Sequence, residues 1–456
     1  MKSRNQDESQ YYVERDVSWM YFNHRILQEA QKTSVPPLEK MSFLGIYSNN
    51  LDEFFRVRVA SLTRLVSAKG IGESARKRLK KTIKTINKLN EDYSREYTDT
   101  INKVFAELAE HHIRLVNDKQ LSDAQKTFLS AFYYDKLNGS TNPIWLSAID
   151  DLNTLEDNRI YLVVKKTHVD DKKVKYAIIK VPDRVYGRFI KLPSDDGFCD
   201  IIYLDDVIRY CLPLIFIGTK ASTYEAFSFK FTKDAEMEVD NEGDYGTMEK
   251  IAMGVNSRKK GSPIRVIYDR DMPKEMQKKI LERLNVKELD TSLAGGRYQN
   301  HRDLMKFPDC GHSELKYPRW PQVMKPEFLA EESIIDSIRE KDRFIHVPYH
   351  SFDGYIRVLR EAALKPEVKA IKTTLYRLAK DSKVVKALIA AARNGKKVTA
   401  VVELLARFDE ESNINWSKRM QEEGVNVIFG VDGLKVHSKL LYIESRKGDI
   451  ACIGTG

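Results

Sequence analysis

The stretch GLKVHSKLLYI, residues 433–443, sets a histidine between two lysines, at Lys435, His437 and Lys439. If the run is a strand, alternation puts all three side chains on one face. Two arginines join them by position. Arg377 in TTLYR and Arg407 in ELLARFDEE each follow an apolar run that reads as a strand. Arginine presents a fixed fork that matches phosphate oxygens, and lysine adds a compact charge. An imidazole, with an ordinary pKa of about 6.5, offers a neutral nucleophilic nitrogen near pH 7. Together these groups suit attack of an imidazole nitrogen on phosphorus, with cations stabilising the transferring group. A histidine in a strand is more often structural than catalytic, and arginines after strands commonly face water. Only the coincidence of position raises His437 above that plainer reading.

The elements that must position these residues begin near residue 326. GYIRVLREAAL reads as a helix, VKAIKTTLY as a strand, and SKVVKALIAAARNG as a helix closed by glycine. KKVTAVVEL, SNINWSKRMQEEG and VNVIF then supply strand, helix and strand. This alternation with short links predicts a right-handed parallel α/β sheet. Ligands bind such sheets at the carboxyl ends of the strands, where Arg377 and Arg407 emerge. After the turn GVDGL the chain can return as an antiparallel strand, KVHSKLLYI, starting at that same edge. Asp409, Glu410 and Glu411 suit the positive end of the following helix, with Ser412 near its cap. Magnesium ligation is the second reading of these acids. His346 and His350 in FIHVPYHSF read as packing or hydrogen-bonding residues.

Upstream, residues 1–110 read as a helical domain. VSWMYFNHRILQEAQK has helical spacing, and residues 74–111 predict a helical hairpin or one extended helix. Between them, Ser48, Asn49 and Asn50 suggest a helix start or a tight turn. Residues 111–325 predict an α+β domain. RIYLVVKKT and KYAIIKVP form a hairpin, PIRVIYD adds a strand, and PKEMQKKILERLN adds a helix. The paired glycines of LAGGRYQNHRDLMKF fit a close backbone approach. The third domain, 326–456, is the α/β part. The class is therefore multidomain, α+β and α/β.

With 76 lysines and arginines against 66 acids, the 456-residue chain carries +10, which favours an anionic partner without choosing among nucleic acid, nucleotide, polyphosphate and membrane surface. The four cysteines form no C-x-x-C pair, so zinc and redox motifs are not expected, and a reducing cytoplasm fits. No apolar run approaches the roughly 18 residues of a membrane helix. The polar N-terminus has no signal-peptide pattern.

HSKLLYIESRKGDIACIGTG resembles the HxK half-motif of the phospholipase D superfamily, with Glu444 as its acid. Taken with TLYRLAKDSKVV, NGKKVTAVVELLARFDEESNINWSKRM, SWMYFNHRILQEA, FLGIYSNNLDEFFRVRVA and GGRYQNHRDLMKFP, it closely resembles the type-1 polyphosphate kinases across essentially the whole chain. The resemblance implies reversible transfer of the terminal phosphate of ATP to inorganic polyphosphate, with magnesium, through a phosphohistidine. His437 matches the phosphorylated residue and Asn50 the nucleotide-binding asparagine. Arg377 and Arg407 match the arginines associated with magnesium and the triphosphate, and Lys435 and Lys439 support phosphate binding. It further implies an incomplete phospholipase D-like α/β domain at the C-terminus, since the family continues past a GTGN turn into a second catalytic half while this chain ends at Gly456. ATP, ADP and polyphosphate are the expected partners, in a homo-oligomer. No nucleic acid is expected; the location is cytoplasmic, with peripheral membrane attachment left open. Two other readings stand beside this one: a phospholipase D-like phosphodiesterase, and a non-catalytic polyphosphate or nucleotide binder.

Overall fold

Apolar residues recur at helical spacing from Val17 to Leu108, and the opening of the chain is accordingly helical. The structure, a computed structural model, describes residues 11–234, 263–286, 291–329, 333–404, 410–430 and 434–454. They fall into two compact units, one drawn from residues up to 318 and the other from Arg319 onward.

In the first unit, helix Arg15–Gln31 starts where the Glu14 carboxylate accepts the backbone N–H groups of Asp16 and Val17, at 2.8 and 3.0 Å. Helix Pro37–Phe54 begins on proline, whose missing N–H costs nothing there. It runs through a π turn, Phe55–Val59, into helix Ala60–Ser67. Ser48, Asn49 and Asn50 therefore lie inside a continuous helix, not at a start or turn. Tyr47 and Leu51 on either side are buried, and that packing overrides the weak helix propensity of asparagine. Residues 73–110 form one 38-residue helix rather than a hairpin. Its buried stripe, including Ile83, Ile86, Ile101, Val104 and Leu108, holds it against the earlier helices.

Two sheets follow. A three-stranded sheet has the order Ile113–Val116, Cys199–Tyr203, Phe189–Lys191. A six-stranded sheet has the order Ile144–Trp145, Val174–Lys180, Tyr161–His168, Ser222–Lys233, Pro263–Asp269, Thr291–Gly295, antiparallel except for its last pair. The expected hairpin is its second and third strands. The first of the paired glycines, Gly295, does sit at a close approach: a Cβ there would lie 2.7 Å from Ile267 Cγ2. Cys199 and Cys310 form a disulfide, a pairing the sequence did not announce. Separated by 111 positions, they left no spacing signal.

In the second unit the sheet order is Asn426–Phe429, Lys397–Val402, Val368–Leu375, Lys439–Ser445, Ile450–Gly454. The first three are parallel, as expected, and the last two are antiparallel, so the sheet is mixed. Burial alternates along the strands. Ile371, Val398, Ala400, Val402, Leu441 and Ile443 enter one core with Leu388 and Ala391 of helix Lys383–Arg393 and Leu359 of helix Asp353–Leu364. Ser382 caps Lys383–Arg393 by accepting from Val385 N, and Gly395, at φ 80°, ends the turn beyond it. Helix Glu410–Glu422 carries Ser412 in its first described turn. The return strand pairs with Val368–Leu375, not with Asn426–Phe429. Two strands therefore separate Asn426–Phe429 from the return strand in the sheet.

Candidate functional site

Leu441 lies opposite Thr373, so the return strand begins at the carboxyl edge of the central strand. Regular pairing starts only at Lys439. Lys435 and His437 precede it, outside the strand, which corrects their placement within it. What brings the basic residues together is an aromatic ring. Tyr376, the first residue past the central strand, has the Lys435 and Lys439 ammonium groups 5.1 and 5.2 Å from its ring centroid. The Arg377 guanidinium carbon is 5.7 Å away, and the His437 ring meets it edge-on at 5.4 Å. Cations favour the negative face of such a ring, which eases their mutual repulsion. Arg377, Lys435 and His437 are exposed, so this cluster is open to an anion.

Side chains hold the approach to His437 where ladder bonds are missing. The Thr374 hydroxyl donates to Ser438 O at 2.6 Å and accepts from Leu440 N at 3.0 Å. The Glu403 carboxylate accepts Val436 N–H at 2.9 Å. Lys439 donates to His437 O at 2.6 Å. Behind them Asn413, fully buried, donates to the carbonyls of Tyr376 and Glu403 at 2.9 and 2.8 Å. It thereby ties together the ends of two neighbouring strands.

Four predicted residues, Arg377, Lys435, His437 and Lys439, thus share one ring. Arg407 lies outside the described residues, as do Asp409 and the side chain of Glu411. Glu444 sits down the return strand, 3.9 Å from Lys372. His350 Nδ1 accepts His346 N–H at 2.9 Å, a hydrogen-bonding role as expected. Asn50 belongs to the first unit, half-buried on helix Pro37–Phe54. Its neighbour Asp52 is buried; Arg265 reaches it at 2.9 Å and Lys230 bonds its other oxygen. Burial pushes the Asp52 carboxyl up, but the two cations outweigh it and hold the carboxyl below its ordinary value. Tyr376, Glu403 and Asn413 were not singled out from the sequence. Tyr376 adjoins Arg377, and Glu403 is the lone acid closing an apolar strand; those signals were present. Asn413 gave none.

Among the described residues no three His, Cys, Asp or Glu side chains come together to hold a metal ion. No helix among them is long and apolar enough to cross a membrane.

Family models match the chain in three consecutive segments: a polyphosphate kinase N-terminal domain over residues 12–116, the middle domain over 124–307, and C-terminal domain 1 over 333–456. The chain belongs to the polyphosphate kinase family. It is 39% identical over 456 residues to a polyphosphate kinase of Vibrio parahaemolyticus, covering 98% of this chain and 65% of that one. It is 38% identical to that of Escherichia coli K12, covering 98% and 66%. The crystal structure of polyphosphate kinase from Porphyromonas gingivalis superposes with a TM-score of 0.75 at 30% identity, over 94% of this chain and 61% of that one. The chain thus spans just under two thirds of these relatives' length. The family's helical N-terminal region and mixed α/β sheets are the architecture seen here.

Proposed function

We propose that this polypeptide serves an ATP:polyphosphate phosphotransferase, with His437 as the phosphate carrier. An imidazole nitrogen of His437 attacks the γ-phosphorus of ATP. The bond to the β-phosphate oxygen breaks and ADP leaves. The terminal oxygen of a polyphosphate chain then takes the phosphoryl group and frees the imidazole; the reverse direction uses the same steps. The single observation that carries this reading is the gathering of Lys435, Lys439, Arg377 and His437 around Tyr376. Three cations beside an accessible imidazole suit a transferring group whose charge must be neutralised.

Magnesium is assigned to the nucleotide. The cluster is cationic, and among the described residues the carboxylate bonded to its backbone, that of Glu403, accepts Val436 N–H. The ion would therefore arrive on the triphosphate, with Arg377 and Arg407 clamping the same oxygens. Asn50 is assigned to ATP, and the second unit to the first half of a phospholipase D-like catalytic domain. Support for the latter is the HxK segment at the carboxyl edge of its sheet. A homo-oligomer and a cytoplasmic location, with or without peripheral membrane attachment, complete the proposal.

The test is incubation with γ-labelled ATP and magnesium, followed by mapping of the label. The expected result is acid-labile label on His437, absent from His437→Ala. Undiminished label in that variant would sink the assignment.

A further inference from the structure

A second cationic site lies in the first unit, on the six-stranded sheet. Lys166 and Lys175 are direct cross-strand partners in the hairpin Tyr161–His168 and Val174–Lys180. Like charges set opposite each other destabilise a sheet. The preceding residue shows the usual remedy: Lys165 pairs with Glu225 at 2.7 Å. Lys166 has no such acid among the described residues. It is 1% exposed, and among the described residues its ammonium donates to Lys220 O at 3.0 Å and Ser222 Oγ at 2.5 Å. An ammonium has three donors, so one is left for the adjoining cavity. Burial, then the neighbouring Lys175 and Lys220, push its pKa down.

That cavity, of about 350 Å³, is lined by Lys166, Lys173, Lys175 and Lys220 together with His168 and Trp145. Its lone carboxylate, Asp171, is 3.1 Å from His168 Nδ1, and 3.8 and 3.9 Å from the Lys173 and Lys220 ammonium groups. Four lysines thus face one acid. The Trp145 ring, 5.5 Å from Lys175 Nζ, walls the side nearest the hairpin's outer strand.

We propose that this cavity is a second binding site for a phosphoanhydride chain, separate from the His437 cluster. The ligand class rests on the phosphotransferase reading above; the charge imbalance does not. Two sources share the chemistry. A linear inorganic oligophosphate needs only the lysines, whereas a nucleoside triphosphate would also lay its base on Trp145.

Lysine acylation footprinting of the full chain separates the cases, with tripolyphosphate and ATP as probes. Bound tripolyphosphate should slow modification of Lys173, Lys175 and Lys220 several-fold, leaving the exposed Lys77 and Lys278 unchanged. Protection by ATP alone, lost in Trp145→Leu, would assign the site to the nucleotide. Lys166→Met should weaken the protecting ligand about tenfold, as loss of one charge-assisted contact predicts. Lys220→Gln, at an exposed position that cannot unfold the sheet, should weaken it less. Unchanged reactivity of the three cavity lysines under both probes, while Lys435 and Lys439 are protected, would overturn the second site alone. Loss of protection at both places would overturn the phosphate reading as well.

Discussion

At the scale of single residues, His437 is a nucleophile candidate because other groups fix the chain around it. Val436 N–H is held by Glu403, and Glu403 is itself buried, at 7% exposure, beside Asn413. Removing the carboxylate frees that N–H and lets the imidazole shift. Displacements of about 1 Å near a reacting atom cost on the order of 10²-fold in rate. Glu403→Ala is therefore expected to slow phosphorylation of His437 by roughly that factor with little change in KM for ATP. Glu403→Gln keeps an acceptor oxygen and should restore most of the rate. Equal loss in both variants, measured by quenched-flow labelling, would show that the carboxylate's charge matters rather than its hydrogen bond. Tyr376 is read the same way. Its ring, not its hydroxyl, meets the cations, so Tyr376→Phe should stay within about twofold and Tyr376→Leu should fall by about tenfold or more. A Phe variant as poor as Leu would contradict the platform role.

Elements carry these residues, and here the tolerance is set by packing. Helix Pro37–Phe54, which bears Asn50, meets the His301–Lys306 turn so closely at Gly45 that a Cβ would lie 2.8 Å from Met305 N and 3.2 Å from Arg302 O. Backbone cannot yield as a side-chain tip can. Gly45→Ala is expected to destabilise the first unit by about 1–3 kcal/mol. Gly72→Ala, where the added methyl meets open space, should cost a few tenths. Urea midpoints that move equally would refute the contact. The parallel strands and their helices were legible from period and glycine stops, because each buries one face in a single core. The start of the return strand was not. Lys435–Ser438 alternates like a strand, but its backbone is held by the side chains of Thr374 and Glu403 instead of a ladder. Hydropathy cannot tell those partners apart. Asn50 was misread for the converse reason: buried neighbours enforce a helix that local propensity does not favour.

At the scale of the molecule, stability depends on charge and on one covalent tie. His301 donates through Nε2 to Tyr298 O at 3.0 Å, and its Nδ1 has no partner among the described residues. Burial, then Arg188 nearby, pushes its pKa down to about 4. The folded value lies below the unfolded one, so this contribution is complete above the ordinary value near 6.5 and is lost as pH falls from there toward 4. A loss of about 1–3 kcal/mol is expected across that window, from an urea midpoint series. His301→Gln should flatten the series there, and an unaltered slope would show that other groups carry it. The Cys199–Cys310 disulfide acts on the unfolded chain instead, by closing a span of 111 residues. Such closure typically contributes about 2–4 kcal/mol. The denatured, unreduced chain should therefore titrate two thiols of its four cysteines, Cys211 and Cys452. Added reductant should lower the urea midpoint, and Cys310→Ser should lower it equally and abolish the reductant effect. A reducing cytoplasm would keep the pair open, so the thiol count also tests the compartment inferred from the sequence. Four titrating thiols, with a midpoint indifferent to reductant, would mean that packing around the first unit's sheets suffices without the bond.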